Sequence, residues 1–167
     1  MYSLLASDNS TPIPISEKAI RQSITLGTLI TTLGEDAKKE PIPIRQDDIP
    51  RHILEKVVEW CEKNKTDIPL SLRNDNEHQE ELRCMVIPEW DHNFLQELDA
   101  TEDGLYFMTV AANYLEIGKL YRYCCKFIYS NHIKGKSTES IRQYFHEEDD
   151  FTPEERKQLE DENKWFT

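Results

Sequence analysis

The chain has 167 residues, 31% of them charged, and its 32 acidic side chains outnumber 20 basic ones to give a net charge of −12. The length fits one domain of ordinary size plus an appendage, and the charge argues against binding to nucleic acid or to an anionic membrane surface. No run of roughly eighteen apolar residues is present, and the first residues lack the basic start of a secretory signal, so neither a membrane span nor a signal peptide is expected.

Two strands and a helix start are predicted first. Residues 2–6 and 11–15 form short apolar runs on either side of a polar turn. Pro12 and Pro14 favour an edge position for the second strand, because proline cannot donate to the hydrogen-bond ladder. Ser16 is then expected to cap a short helix.

Further helices and a third strand follow. A helix over roughly Gly27 to Leu33 should end at Gly34, which suits the left-handed turn that closes helices. The charged residues 35–40 predict a loop, and residues 41–44 predict a short strand with prolines. Between residues 50 and 64 apolar side chains recur with the helical period and cover one broad face.

The middle of the chain predicts a loop and then a helical layer. Residues 67–84 are acidic and polar, and we interpret them as a loop, although its length is unusual inside a compact domain. Residues 87–91 lead into a short helix. Apolar residues between Leu105 and Leu115 predict another, Gly118 interrupts it, and the next helix completes a core that should end near Asn131.

The C-terminal part carries strong helix-start signals but little apolar surface. Ser137 should cap one short helix, and the acidic run at residues 147–150 precedes another. Thr152 can cap that last helix, with Pro153 at its first position and Glu155 placed to complete a capping box. Both helices are too small and polar to form a core of their own, which indicates an extension.

Exposed aromatic residues are the remaining signal in this region. The terminal helix is acidic and ends near Trp165 and Phe166, which suggests that it binds another protein, although Trp165 could equally fold back onto its own domain. Aromatic side chains left exposed on helices are typical anchors of protein interfaces. The alternative is that about half of them pack between the helices. The aromatics concerned are Tyr106, Tyr114, Tyr121, Tyr123, Tyr129, Tyr144, Phe145, Phe151, Trp165 and Phe166.

No catalytic or metal-binding pattern stands out. The five histidines are scattered, the five glycines form no phosphate-binding loop, and no cysteine pair has metal or redox spacing. We therefore expect no metal, no cofactor and no enzymatic activity. Cys61 and Cys125 lie in predicted apolar stripes, and reduced core thiols are typical of a cytosolic or nuclear protein, so both compartments are expected.

Several motifs, in order and nearly at family spacing, resemble the S-phase kinase-associated protein 1 family. The likeness runs over almost the whole chain and is most specific after residue 87. The matching segments are Ile87-Pro88-Glu89-Trp90-Asp91-His92-Asn93-Phe94-Leu95, Ala111-Ala112-Asn113-Tyr114-Leu115-Glu116-Ile117, Ile133-Lys134-Gly135-Lys136, Asp150-Phe151-Thr152-Pro153-Glu154-Glu155 and Glu162-Asn163-Lys164-Trp165.

The resemblance implies an α+β chain with a BTB/POZ fold and a C-terminal two-helix extension. The domain would cover residues 1–131 and the F-box-binding extension residues 132–167. It also implies a non-enzymatic adaptor of SCF-type ubiquitin ligases, which joins a cullin to F-box substrate receptors. Elongin C-like relatives share the core but lack such an extension, so residues 133–167 argue against that branch.

The resemblance also assigns residues to two partner surfaces. The cullin-binding residues would be Asn113, Tyr114 and, with less support, Ile117. The F-box-binding residues would be Ile141, Phe145, Phe151 and Trp165.

The chain departs from the family's usual form between residues 96 and 121. Residues 96–110 are about three residues longer than usual, and Gly104-Leu105-Tyr106-Phe107 stands where the family has Gly-Thr-Leu-Phe. Residues 116–121 and the Trp165-Phe166-Thr167 ending differ as well. We interpret the chain as a divergent paralogue. The alternative is a self-associating BTB scaffold protein that meets no cullin, and a homodimer in the absence of F-box protein also stays open.

Overall fold

A computed structural model describes residues 1–7, 11–45, 49–69, 85–101 and 103–163. The chain divides into two compact units, Met1–Phe127 and Ile128–Thr167. Short strands at the front and helices behind them confirm the predicted α+β class. Among the described residues, no helix is long and apolar enough to cross a membrane.

The described part of the first unit contains a small three-stranded sheet in the order β2-β1-β3. Strand β1 (Tyr2–Leu5) pairs antiparallel with β2 (Ile13–Ile15) and parallel with β3 (Ile42–Pro43). Ile13 and Ile15 are buried while Pro14 between them is exposed, as the alternation of a strand requires. The predicted edge position of β2 is confirmed.

The helices of the first unit are α1 (Glu17–Ile20), α2 (Ile24–Leu33), α3 (Arg51–Lys63), α4 (Glu89–Asp99), α5 (Gly104–Tyr114) and α6 (Gly118–Ile128), the last of which ends on the first residue of the second unit. The second unit continues with a π turn (Tyr129–Ile133), α7 (Thr138–Tyr144) and α8 (Pro153–Glu162).

The predicted helix starts are confirmed by their capping contacts. Ser16 accepts a hydrogen bond from the backbone N–H of Ala19, and Ser137 accepts one from Ser140. At α8, Thr152 and Glu155 form the complete capping box. These contacts satisfy N–H groups that have no partner inside the helix.

Two predictions in the first unit need correction. Helix α2 begins three residues before the predicted start, because Ser23 caps it by accepting the N–H of Leu26 at 3.0 Å. Residues 35–40 were predicted as a loop, but a 3₁₀ helix spans Gly34–Lys38. Ala37, the apolar residue of this charged segment, is 3% exposed, so this 3₁₀ helix packs one side against the core.

The assignment of Cys125 to an apolar stripe was wrong. Cys125 is exposed, whereas its neighbour Cys124 is fully buried. Cys124 lies four residues after Leu120 and three before Phe127, which places the three on one helix face toward the core. Residues 70–84, where the rest of the predicted 67–84 loop falls, lie outside the described residues.

The core of the first unit centres on Trp60. Its side chain is fully buried, and the indole Nε1–H donates a 2.7 Å hydrogen bond to Asp91 Oδ1, which joins α3 to α4. Burial raises the pKa of Asp91, although the hydrogen bond from Trp60 opposes that shift. The bond satisfies both buried polar groups, and neither could be removed alone without leaving the other unpaired.

The start of α5 requires a glycine. A Cβ atom on Gly104 would lie 2.0 Å from Thr101 Oγ1 and 2.7 Å from the carbonyl oxygen of Leu98. Because the second neighbour is backbone, Gly104→Ala should lower the free energy of unfolding by about 1–3 kcal/mol. Chemical denaturation of the purified chain measures this difference.

Gly27→Ala is the matched control, because the same added Cβ would meet nothing within 4 Å in α2. Alanine is the better helix former, so this variant should gain about 0.5–1 kcal/mol. Equal effects of the two substitutions would contradict the proposed close approach at Gly104.

Candidate interaction surfaces

Helix α5 ends in a tight turn that determines which of its last residues face outward. The backbone N–H of Glu116 bonds to the Asn113 carbonyl at 3.1 Å, and that of Ile117 bonds to the Ala112 carbonyl at 2.8 Å. Glu116 between them has a left-handed φ of 49°. This is the Schellman arrangement, in which the residue after the turn packs back against the helix. Ile117 is accordingly buried, with 1% of its surface exposed.

Residues from the start of α2 hold this turn in place. The buried Ser23 hydroxyl donates to the Leu115 carbonyl, and the backbone N–H of Ile24 donates to the Glu116 carbonyl at 3.4 Å. Thr25 Oγ1 donates to the Glu116 carboxylate at 3.1 Å. Contacts between residues about ninety positions apart therefore anchor the end of α5.

Two of the three predicted cullin-binding residues form an exposed surface, here called the α5 end surface. Asn113 is exposed, and Tyr114 beside it is 41% exposed. Ile117 differs from both, because it packs in the core and can act on a partner only through the residues that it supports.

Ser23→Ala tests the contact that anchors this turn. The substitution removes the cap of α2 and leaves the Leu115 carbonyl without its hydroxyl donor, so we expect a loss of about 1–3 kcal/mol in the free energy of unfolding. Urea denaturation checks the size, with Ser3→Ala on β1 as the control. A loss no larger than that of the control would contradict the anchoring role.

In the second unit, Phe145 belongs to a contiguous set of rings. His132 from the π turn stacks on Tyr144 of α7, with ring centroids 3.8 Å apart and an interplanar angle of 12°. Tyr144 in turn contacts Phe145 edge to face at 5.1 Å. Phe145 remains 43% exposed, so one side of its ring is held while the other faces solvent.

Phe151, also 43% exposed, is held by a charged group rather than by rings. The Arg142 guanidinium lies 5.2 Å from the centroid of the Phe151 ring, at a cation–π distance. Asp149 Oδ1 accepts from Arg142 at 2.8 Å, and the same carboxylate pairs with Arg156 of α8. One carboxylate thus connects α7, Phe151 and α8.

The predicted F-box-binding residues are distributed as follows. Phe145 and Phe151 are exposed and Ile141 is half-buried, and these three are here called the aromatic surface. Trp165 lies outside the described residues. Sequence reasoning missed His132, Arg142 and Asp149, since no local spacing links a histidine or an ion pair to an aromatic residue in another turn.

The outcome for the other aromatic residues is mixed. Tyr123 is buried at 4% exposure, and Tyr121 and Tyr144 are half-buried. Tyr106 and Tyr129 are more than half exposed. Some of these aromatic residues are therefore exposed, as interface anchors would be, and others are buried or half-buried.

The described residues gather no metal-ligand cluster and bury two of their thiols. No group of three or more histidine, cysteine or acidic side chains among them could hold a metal. Burial raises the pKa of Cys61 and of Cys124 to about 12, which keeps both thiols protonated and unreactive. Burial also raises the pKa of Cys125.

The contacts around α8 predict a dependence on acid. Hydrogen bonds from Arg156 and attraction to Arg142 lower the pKa of Asp149 below its ordinary 3.8, and hydrogen bonds from Thr152 lower that of Glu155 below 4.5. Lowered values mean that the stabilisation is complete above the ordinary values and is lost as the pH falls through the folded-state values. Backbone NMR shifts of residues 142–156 during acid titration should show this loss.

Asp149→Asn should reproduce part of this loss of stabilisation at neutral pH, because the neutral amide cannot form ion pairs with Arg142 and Arg156. Asp150→Asn removes the same charge one position further on and is the control. Identical spectra of the two variants would contradict the bridging role of Asp149.

A small sheet with helices, followed by a short helical unit with exposed aromatic side chains, is typical of a protein-interaction module. Two models of known protein families match this chain. Residues 3–66 match the model described as "Skp1 family, tetramerisation domain", and residues 118–166 match the one described as "Skp1 family, dimerisation domain". The chain belongs to the Skp1 family, and its fold is the BTB/POZ fold with the predicted two-helix extension.

Curated relatives align over nearly the whole chain. The E3 ubiquitin ligase complex SCF subunit sconC of Talaromyces marneffei is 37% identical over 96% of this chain and 94% of the relative. The same subunit of Arthroderma benhamiae is 35% identical over 96% of this chain and 92% of the relative. A Skp1-related protein of Caenorhabditis elegans is 39% identical over 96% of this chain and 88% of the relative.

Proposed function

We propose that this chain is a non-catalytic adaptor subunit of an SCF-type ubiquitin ligase, which joins a cullin scaffold to F-box substrate receptors in ubiquitin-dependent degradation. The observation that carries the proposal is the similarity to SCF subunits along 96% of the chain. The names of these relatives, SCF subunit and Skp1-related protein, do not favour the alternative of a self-associating scaffold protein. The adaptor works by proximity and makes no covalent bond itself.

The α5 end surface is the proposed cullin contact. Asn113 and Tyr114 are exposed at the end of α5, and hydrogen bonds from α2 hold the turn that follows them. A backbone that is already fixed loses little conformational entropy when the surface binds a partner. Ile117 contributes by packing beneath this turn.

Residues 132–167 are the proposed F-box-binding extension, which follows a BTB/POZ domain over residues 1–131. Within it, Ile141, Phe145 and Phe151 supply the apolar contact, and Trp165 is included through its place in the family motif. Phe145 and Phe151 are each held on one side and open on the other, which suits anchors that insert into a partner.

The charge and the thiols support the remaining proposals. A net charge of −12 disfavours nucleic acid and anionic membranes as partners. Free Cys61, Cys124 and Cys125 fit a reducing compartment, so we place the protein in the cytoplasm and the nucleus.

The two surfaces should be separable by substitution. Phe145→Ala and Phe151→Ala should each weaken binding of a purified F-box domain by about 2–4 kcal/mol, since anchors lose most when truncated. Isothermal titration calorimetry measures this loss. Neither variant should lose binding to a cullin N-terminal domain.

The reciprocal variant carries Asn113→Ala and Tyr114→Ala together. It should lose the cullin in a pull-down and retain the F-box affinity of the wild type, so each set serves as the control for the other. Unchanged F-box affinity in both phenylalanine variants would remove the assignment of the aromatic surface.

A further inference from the structure

Helix α6 carries a lysine at a position where helices ordinarily favour an acidic residue. Lys119 is its second residue, and the first turn, Gly118 to Tyr121, contains no acidic side chain. The positive end of the helix dipole repels a cation at this place. A residue that breaks such a local preference is compensated by a contact with another part of the chain, and such residues are found mainly at functional sites.

Two carboxylates and an aromatic ring compensate the charge of Lys119. Its Nζ donates to Asp67 Oδ2, in the segment that follows α3. Asp91 of α4 attracts it as well, and the centroid of the Tyr123 ring lies 5.8 Å from Nζ. Burial lowers the pKa of Lys119, but the hydrogen bond to Asp67 and the surrounding negative charges raise it more, so the ammonium stays charged.

Asp67 is itself held by α2. The buried Gln22 donates from Nε2 to the Asp67 carbonyl at 2.7 Å. Its neighbour Ser23 donates to the Leu115 carbonyl. The contacts therefore form a closed ring, which runs from Leu115 along the chain to Lys119, across to Asp67, and back through α2.

The turn beneath the α5 end surface lies inside this ring. The Ile117 carbonyl accepts from the backbone N–H of Tyr121 at 3.0 Å, so α6 begins directly at the turn. Ser23 holds the turn on the α5 side, and Lys119 holds it on the α6 side. A single contact would let the turn pivot, whereas two contacts fix its orientation and with it the direction of Tyr114.

We propose that Lys119 is a positioning residue for cullin binding, because its ion pair with Asp67 fixes the turn that orients Asn113 and Tyr114. The inference rests on the proposed cullin contact. Lys119 is half-buried, with 24% of its side chain exposed, and it acts on the partner through the turn. A looser turn would spend less time in the binding orientation, and the apparent affinity falls in proportion to that fraction.

Substitution of Lys119 tests this role. Lys119→Met keeps most of the apolar stem and removes the charge, so we expect the Kd for a purified cullin N-terminal domain to rise about tenfold. The Kd for an F-box domain should not change. Lys119→Arg retains the charge and should recover most of the cullin affinity. Isothermal titration calorimetry measures both constants, and circular dichroism verifies that each variant is folded.

Lys65→Met is the matched control. It removes the same charge and the ion pair with Glu62, two residues from Asp67 in the same segment. Both Kd values should therefore stay at those of the wild type.

A double-mutant cycle separates positioning from a direct contact with the cullin. Asp67→Asn should weaken cullin binding as much as Lys119→Met does, and the double variant should lose no more than either single one. If Lys119 touched the cullin itself, the double variant would bind more weakly than Asp67→Asn alone, and the positioning role would be wrong.

Backbone amide NMR shifts of residues 113–117 provide a readout that needs no cullin. They should change in Lys119→Met and in Asp67→Asn but not in Lys65→Met. Unchanged shifts in the first two variants would overturn the inference whether or not the chain binds a cullin. A wild type without cullin affinity would instead defeat the proposed function, and the role of Lys119 in cullin binding with it. Wild-type binding that Lys119→Met leaves intact would defeat the inference alone.

Discussion

The hydrogen bonds between the start of α2 and the turn after α5 are the constraint on which the first unit depends. One buried hydroxyl, that of Ser23, caps α2 and donates to the Leu115 carbonyl, while Thr25 holds the Glu116 side chain. The same contacts fix the first turn of α2 and the turn beneath the α5 end surface. A change at Ser23 would therefore be felt both in the cap of α2 and at the α5 end surface.

The acidic character of the chain determines what a binding surface can be. With a net charge of −12, most of the exterior repels other acidic proteins, so contacts form where uncharged side chains are exposed. The α5 end surface and the aromatic surface meet this requirement. In the second unit, Asp149 forms ion pairs with both Arg142 and Arg156, so the guanidinium nearest Phe151 is held in place by a contact within the unit.

Local signals in the chain predicted many of the elements. The periodicity of residues 50–64 predicted α3, and Ser16, Ser137 and Thr152 predicted three helix starts. Such signals are readable because a cap or an apolar stripe involves residues only three or four positions apart. The start of α2 was missed although Ser23 is a good cap, because the apolar pattern around Gly27 gave no clear boundary.

Which side chains are exposed on the partner surfaces depends on contacts between residues far apart in the sequence. Family motifs named Asn113, Tyr114, Phe145 and Phe151, yet nothing local distinguished the buried Ile117 from its exposed neighbours. Its burial follows from the backbone reversal at Glu116 and from Ser23, some ninety residues away. Helix caps and apolar periodicity involve residues within about one helical turn, so the sequence by itself determines them. The exposure of a side chain depends on which distant segments pack against it. Only the tertiary structure decides which segments those are.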